Sequence, residues 1–313
     1  MKVLVTGATG FVGRYLCPLL RSRGETVFGT SYPDRPPAMD KETLFLDLRL
    51  KRDVFQLIKK VRPDRVFHLA AVSNVRHSWL EREETFETNL MGTFYLFEAI
   101  RQHAPDARIL FVSSSDVYGV VGSSSRRLKE DHPSQAVNPY SYTKLAGEIL
   151  ARFYVQVENF DAVIARPFPH TGPGQSPDFV CSDWARQIAR IEKGRAAPVI
   201  KVGNLRAERD FLDVRDVVLA YLLLVQRGRK GEVYNVCSGK SISLEKILAR
   251  LISFSSRSIS VEVDPKKLRK VDLPCLLGSN RKIKEETGWA PEIPITQTLI
   301  DLYEYWLKKQ SQV

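Results

Sequence analysis

Short apolar runs alternate with amphipathic stretches through the first half of the chain. Val3-Leu4-Val5, Val27-Phe28-Gly29, Leu44-Phe45-Leu46, Val66-Phe67-His68-Leu69, Ile109-Leu110-Phe111-Val112 and Ala162-Val163-Ile164-Ala165 read as strands. Residues 11–23, 84–101 and 140–158 read as helices between them, and Ser, Gly and Pro punctuate the connections. Strands separated by helices make a parallel sheet with crossover connections, so the predicted class is α/β, a doubly wound parallel sheet. Beyond Pro167 the rhythm loosens into a Pro- and Gly-rich loop, with helices predicted over 184–192, 214–226, 244–252 and 298–307. The predicted division is a main domain over 1–167, with 203–236 returning to it, and a smaller lobe over 168–202 and 237–313.

A chain of 313 residues has room for a large core. Cys17, Cys181, Cys237 and Cys275 lie far apart with no CxxC pair, so neither a disulfide framework nor a metal site is expected. No apolar run reaches membrane-spanning length and the first residues lead straight into a strand, which predicts no membrane association and a cytoplasmic location. The formal net charge of +11 is dispersed over many segments, and no basic run alternates with aromatic residues. That distribution argues against nucleic acid and fits a site that attracts doubly charged anions.

Two patterns carry chemistry. Gly7-Ala8-Thr9-Gly10-Phe11-Val12-Gly13 follows a strand and opens a helix, where glycines let the backbone approach a pyrophosphate at a helix N-terminus. Tyr140 and Lys144 are one helical turn apart, which places an ammonium beside a phenol. Moving that phenol from its ordinary pKa to neutrality takes about 3 units, or about 4 kcal/mol of preferential phenolate stabilisation, which Lys144 and a bound nicotinamide would supply. Either pattern alone also suits an ordinary turn or a solvated helix face; together they predict a dinucleotide-dependent oxidoreductase acting at an alcohol or ketone. An NAD site places a carboxylate just after the second strand, and here that strand ends Thr30-Ser31-Tyr32. NADP is therefore expected, with Ser31 and Arg35 on the 2′-phosphate. Asp34 leaves NAD open, and Asp47 is either an adenine contact or a strand-end cap.

Read together, these residues resemble the extended short-chain dehydrogenase/reductases, in their nucleotide-sugar branch, over nearly the whole chain. The likeness rests on the glycine turn, His68-Leu69-Ala70-Ala71, Asn89 with Gly92-Thr93, Ser113 to Gly119, Tyr140 with Lys144, and Arg166-Pro167-Phe168. It continues through Gly172-Pro173-Gly174, Arg209 to Asp216 and Tyr234 to Gly239. It implies a Rossmann domain whose cofactor contacts are Gly7, Gly10, Phe11, Val12, Gly13, Thr30, Ser31, Arg35, Asp47, Leu48, Leu69, Ala70, Ala71, Asn89, Tyr140, Lys144 and Arg166. It also implies catalysis by Ser114, Tyr140 and Lys144, with Asp116 as a further carboxylate. Substrate contacts by the same resemblance are Ser73, Ser115, Gln175, Val180, Lys201, Arg209, Arg269 and Asp272, the two arginines clamping a diphosphate as planar guanidinium groups can.

Within the branch, the segments 172–180, 201–205 and 277–280 are most similar to enzymes of GDP-sugars, above all the GDP-4-keto-6-deoxy-D-mannose reductases, which form GDP-D-rhamnose. One departure stands out. The related pattern after the sixth strand reads Arg-x-Phe-Asn, and here Pro169 takes the asparagine's place, offering neither a side-chain amide nor a backbone N–H. Asp116 separates the chemistries: a 4,6-dehydratase uses a glutamate there as an extra acid/base, and a carboxylate one methylene shorter favours a reductase. A 4-epimerase and, outside catalysis, a dinucleotide-binding sensor on the same fold are the alternatives. The resemblance also implies a homodimer through the helices predicted at 84–101 and 140–158.

Overall fold

The computed structural model describes residues 1–32, 43–120, 127–268 and 273–311. The chain opens with β1 (Lys2–Thr6), α1 (Gly13–Ser22), β2 (Thr26–Ser31), β3 (Thr43–Phe45) and α2 (Lys51–Val61). Next come β4 (Arg65–His68), α3 (Val75–Leu80), α4 (Arg82–Phe86), a π-helical turn over Glu87–Met91, α5 (Gly92–His103), β5 (Arg108–Val112), α6 (Pro139–Val157) and β6 (Asp161–Pro167). The later elements are β7 (His170–Thr171), α7 (Val180–Glu192), β8 (Val199–Val202), β9 (Glu208–Arg209), β10 (Leu212–Asp213), α8 (Val214–Arg227) and β11 (Val233–Val236). The chain closes with β12 (Ile242–Ser243), α9 (Leu244–Ile252), β13 (Ser260–Val263), β14 (Cys275–Leu276), α10 (Arg281–Thr287) and α11 (Ile295–Ser311).

Seven strands form one parallel sheet in the order β11-β6-β5-β4-β1-β2-β3. Successive strand residues point to opposite faces, and the packing follows that period of two. Val3, Val5, Phe67, Leu110 and Val163 pack with α1 and α8, through Leu16, Leu20, Val217, Tyr221 and Leu224. Their neighbours Leu4, Val66, Ile109 and Ile164 pack on the other side with α2, α5 and α6, through Val54, Ile58, Phe97, Ile100 and Tyr154. Both faces are thus covered, as the α/β pattern predicts. A separate core joins α7, α9 and α11 through Trp184, Ile188, Ile247, Leu251, Leu302 and Trp306. Arg215 at the start of α8 bridges Asp213 at 2.7 Å and Asp301 of α11 at 2.5 Å, tying that core to the sheet.

Among the differences from the sequence reading, two bear on the sheet and the site. Lys51–Val61 is a helix where the sequence reading places no element; its apolar stripe Val54, Leu57, Ile58 and Val61 covers the sheet. The single helix predicted over 84–101 is instead α4, the π turn and α5 in succession. Asn89 explains the interruption: its side chain is drawn out to Val72 and Thr143, while the Thr93 hydroxyl donates to its carbonyl at 2.5 Å. Polar groups that divert the helical ladder produce such turns.

Helix α6 is seated with particular care. Asn138 caps it by accepting from the Ser141 N–H at 2.8 Å, Ser141 closes the reciprocal box, and Pro139 sits in the first turn. Gly147 then lets the helix approach β5 closely: a Cβ there would lie within the van der Waals envelope of the buried Phe111 ring. For Gly147→Ala, helix propensity gains about 1 kcal/mol, whereas overpacking a closed core costs about 1–3 kcal/mol. Phe111 is packed against Phe97 and lies beneath Lys144, so the ring has little room to retreat. We expect a net loss of about 1 kcal/mol, read as a lower urea midpoint at unchanged slope; a midpoint at or above the parent's would show that α6 does not rest on this contact.

Candidate active site

The chemistry-bearing residues gather at the C-terminal ends of the strands, beside the point between β1 and β4 where the strand order reverses. Gly7 follows β1 with φ 71°, and a Cβ there would stand 3.0 Å from the Ala70 backbone, so glycine is required both for the conformation and for the close approach. The turn is tied to β2 by Gly7 N–H donating to Thr30 Oγ1 at 3.2 Å and Ala8 N–H donating to the Thr30 carbonyl at 2.8 Å. A Cβ on Gly13 would meet the carbonyl oxygens of Gly7 and Ala8 at 2.5 Å. Helix α1 begins there without a side-chain cap from Val12. A glycine turn folded tightly onto an uncapped helix N-terminus fits a dinucleotide pyrophosphate.

Beneath the turn, His68 is buried between the hydroxyls of Thr6 at 2.8 Å and Thr93 at 2.9 Å. Burial, then the nearby Lys144, push it down to about 3, so it is a neutral strut in neutral solution. Thr6 also accepts from the Ala70 N–H at 3.1 Å, which sets the Leu69, Ala70 and Ala71 backbone along the turn. Phe11 lies parallel to the His170 ring, with centroids 6.1 Å apart and planes at 6°, and so links the turn to the loop after β6.

Ser114, Tyr140 and Lys144 come together where β5 ends and α6 begins. Ser114 has extended backbone, and its hydroxyl accepts from the Asp116 N–H at 3.1 Å, starting the short 3-10 turn Ser115–Tyr118. Lys144 is buried, donates to the Val112 carbonyl at 2.8 Å and stands 5.4 Å over the Phe111 ring. Burial lowers its pKa from 10.5 to about 8, against an upward pull from Glu148. Glu148, one turn further along α6, lies inside the protein, accepting from Ser113 at 2.5 Å and from Arg166 at 2.7 and 2.8 Å.

Tyr140 is buried as well, and in the protein alone its pKa is raised well above 10, by burial first and then by the field of Asp116; the lowering expected from the sequence belongs to the site with a nicotinamide bound beside Lys144. A hydrogen bond with Ser114 opposes that rise. Tyr140 is therefore a neutral phenol with a proton to give.

Three further residues expected at a ligand are already engaged by the protein's own groups. Arg166, expected at the cofactor, spends its guanidinium on Glu148, the Glu130 carbonyl and Ser134, and stacks 4.7 Å over Tyr118. Asn89, also expected there, donates to Val72 and Thr143 and accepts from Val72, which makes it a clamp between the loop after β4 and helix α6. Gln175, expected at the substrate, accepts from Thr171 at 2.6 Å and donates to the His170 carbonyl at 2.9 Å, closing its own loop.

At the edge of the site, Thr30 and Ser31 are buried, and the Ser31 hydroxyl meets that of Thr9 in the glycine turn at 2.9 Å. Asp47 is held by Arg49, whose Nε lies 3.0 Å and Nη2 2.7 Å from the carboxylate. Leu48 is buried under Gly92, where a Cβ would come within 2.7 Å of it. Among the proposed substrate contacts, Ser73 is exposed, Ser115 is buried, and Val180 opens α7 half-buried. Lys201 is exposed on β8, and Arg209 Nη1 donates to the Leu273 carbonyl at 2.6 Å. Arg35, Arg269 and Asp272 lie outside the described residues. The sequence reading misses two charged residues. Glu148 has a visible signal, standing one turn after Lys144; Arg49 has none, since only the fold carries it to Tyr32.

A protein-family model described as GDP-mannose 4,6 dehydratase matches residues 4–302. The chain is 34% identical over 305 residues to the GDP-6-deoxy-D-mannose reductase of Pseudomonas aeruginosa, covering 97% of each. Its fold superimposes on the structure of RMD from Pseudomonas aeruginosa complexed with NADPH, with TM-score 0.86 and 33% identity over 98% of this chain and 99% of that one. It is likewise similar to the UDP-glucose 4-epimerase of Thermus thermophilus in complex with NAD, with TM-score 0.88, 27% identity and coverage of 98% and 99%.

Proposed function

The chain belongs to the GDP-mannose 4,6-dehydratase family, and from that premise we propose that it reduces the C4 ketone of a GDP-4-keto-6-deoxy-hexose with NADPH, forming GDP-D-rhamnose. The observation that carries the reading is the meeting of Ser114, buried Tyr140 and buried Lys144 where β5 ends and α6 begins, on a chain 34% identical to a curated GDP-6-deoxy-D-mannose reductase. NADPH would supply the hydride, and NADH fits the same cradle less well because β2 ends Thr30-Ser31-Tyr32, without the carboxylate an NAD site places directly after that strand. Gly7, Gly10 and Gly13 would admit its pyrophosphate at the start of α1.

The protein's own part is binding, orientation and one proton. Ser114 would hold the substrate oxygen, and Tyr140 would give its proton to the oxyanion formed when the ketone is reduced. Lys144 would stabilise the phenolate that remains, which needs its ammonium. Asp116 supports a second reading, 4,6-dehydration, because its carboxylate already acts on Tyr140. It is one methylene shorter than the glutamate that chemistry uses, which leaves reduction ahead. Arg209 and the segment around Lys201 would face the nucleotide diphosphate, with the lobe of α7, α9 and α11 as the substrate side and residues 1–167 as the cofactor side.

The exposed apolar residues of α6 give the same reading a quaternary form. Tyr142, Ile149, Phe153 and Val157 are 56%, 63%, 49% and 63% exposed, and Phe86 and Met91 add to the face from the neighbouring segment. A run of this kind on one helix is what an isologous homodimer would cover.

Three outcomes test these statements. Protein mixed with NADPH and GDP-4-keto-6-deoxy-D-mannose should oxidise the cofactor, and Tyr140→Phe should lose at least about 100-fold of that rate, the scale of a general-acid contribution. Turnover of GDP-mannose without added reductant would shift the reading to dehydration and Asp116. The kcat/KM for reduction should fall as pH rises through about 8, because Lys144 is charged below that value and neutral above it while Tyr140 keeps its proton. A flat profile from about pH 6 to 9 would remove Lys144 from the proposed step. Sedimentation at micromolar concentration should give a dimer that Ile149→Glu splits into monomers; a monomeric parent would refute the interface.

A further inference from the structure

We propose that Arg49 recognises the adenosine 2′-phosphate and so gives this chain its preference for NADPH over NADH, an assignment that rests on the reductase reading above. In a doubly wound sheet, the residue just past the second strand meets the adenosine ribose: a carboxylate there selects the free 2′-hydroxyl, and a nearby arginine accommodates the phosphate. In this chain β2 ends at Ser31 and is followed by Tyr32, so the described residues just past the strand carry no charge, Asp34 and Arg35 lying outside them. The Ser31 hydroxyl lies 2.9 Å from that of Thr9.

The fold brings a cation to this edge from the loop after β3. Arg49 Nη2 donates to the Tyr32 hydroxyl at 2.7 Å, and the guanidinium carbon stands 5.7 Å from the centre of the Tyr32 ring. The same guanidinium lies against Asp47, through Nε and Nη2, while the Arg49 N–H donates to Asp47 Oδ1 at 3.0 Å. Asp47 therefore aims the fork, and its place after β3 is not that of the carboxylate that selects NAD after β2. The two Nη1–H donors carry no bond among the described residues, and the side chain is 30% exposed, open to a ligand. A planar fork, pre-ordered on an aromatic ring and permanently charged, suits a phosphate dianion. Arg14 of α1 is the other described cation bordering this edge, but its Nε is turned to the Thr9 carbonyl at 2.9 Å.

The test is direct binding of NADPH and NADH to the full-length protein, followed by nicotinamide fluorescence, which needs no sugar substrate. Parent protein should prefer NADPH, and Arg49→Met should weaken NADPH about 10- to 100-fold while leaving NADH unchanged, the scale of a lost charge-assisted pair of hydrogen bonds. Arg49→Lys, keeping charge without the fork, should fall between. An unchanged ratio in Arg49→Met overturns the assignment, and so does a ratio that collapses in Arg14→Met alone. Parent protein that binds both dinucleotides equally overturns it while leaving the reductase reading intact; parent protein that binds neither sinks both.

Discussion

Everything at this site depends on burying charge on helix α6 without stranding it. Arg166 and Glu148 are 3% and 2% exposed in their side chains and meet at 2.7 Å. Isolated, either ion would cost several kcal/mol in the interior, and removing one partner of such a pair typically costs about 3–5 kcal/mol. The structure meets that demand by surrounding the pair: Ser113 donates to the carboxylate, while the Glu130 carbonyl and Ser134 accept from the guanidinium. The pair is anchored on β6 and α6, so it also fixes the helix against the sheet. Gly147 lets α6 come close enough for that to happen, and Asn138 and Asn89 hold its first turns.

From that seating follows the electrostatic character of the proposed catalytic pair. Tyr140 and Lys144 are carried into the interior by the same helix, and burial acts on them in opposite senses. It favours the neutral phenol and disfavours the ammonium. The phenol is thus ready to donate, whereas the lysine's ammonium is supported by the Val112 carbonyl and the field of Glu148. A reductase needs this order of affairs, since the tyrosine begins the cycle protonated. An oxidation starting from an alcohol would need the phenolate first, against both burial and Asp116.

How much of this was legible in the sequence divides by what spacing can say. The strand runs, the glycine turn and the Tyr140–Lys144 interval are local patterns, and the fold class follows from them because period and spacing encode backbone geometry. Hydrogen-bonding capacity is not local. Arg166, Asn89 and Gln175 all sit in segments near the site, yet each has spent its donors or acceptors on partners between 4 and 54 residues away in sequence. Ser31 lies at the expected strand end, and its hydroxyl meets Thr9 on the neighbouring turn, a contact that spacing does not announce. The π turn at Glu87–Met91 was hidden for the same reason, since it answers to an asparagine whose partners are Val72 and Thr143. Motif residues thus mark a neighbourhood, and the tertiary hydrogen bonds decide which of them face a ligand.

Pro169 shows where this chain's individuality lies. Its carbonyl accepts from the Leu212 N–H at 2.9 Å, so the backbone keeps the β7–β10 ladder in place although the side chain has lost the amide of the related pattern. The next residue, His170, is anchored by Nδ1 on the Phe168 carbonyl and lies parallel to Phe11 of the glycine turn. The substitution therefore leaves the scaffold and the proposed cofactor side as they are, and removes one polar contact on the side where the sugar would lie. In the proposed reduction, Ser114, Tyr140 and Lys144 would act at the carbonyl whatever the rest of the sugar carries. A change confined to the loop after β6 acts on a different quantity, the relative affinity for one 4-keto sugar over another, and specificity of that kind turns on single buried polar contacts left paired or unpaired.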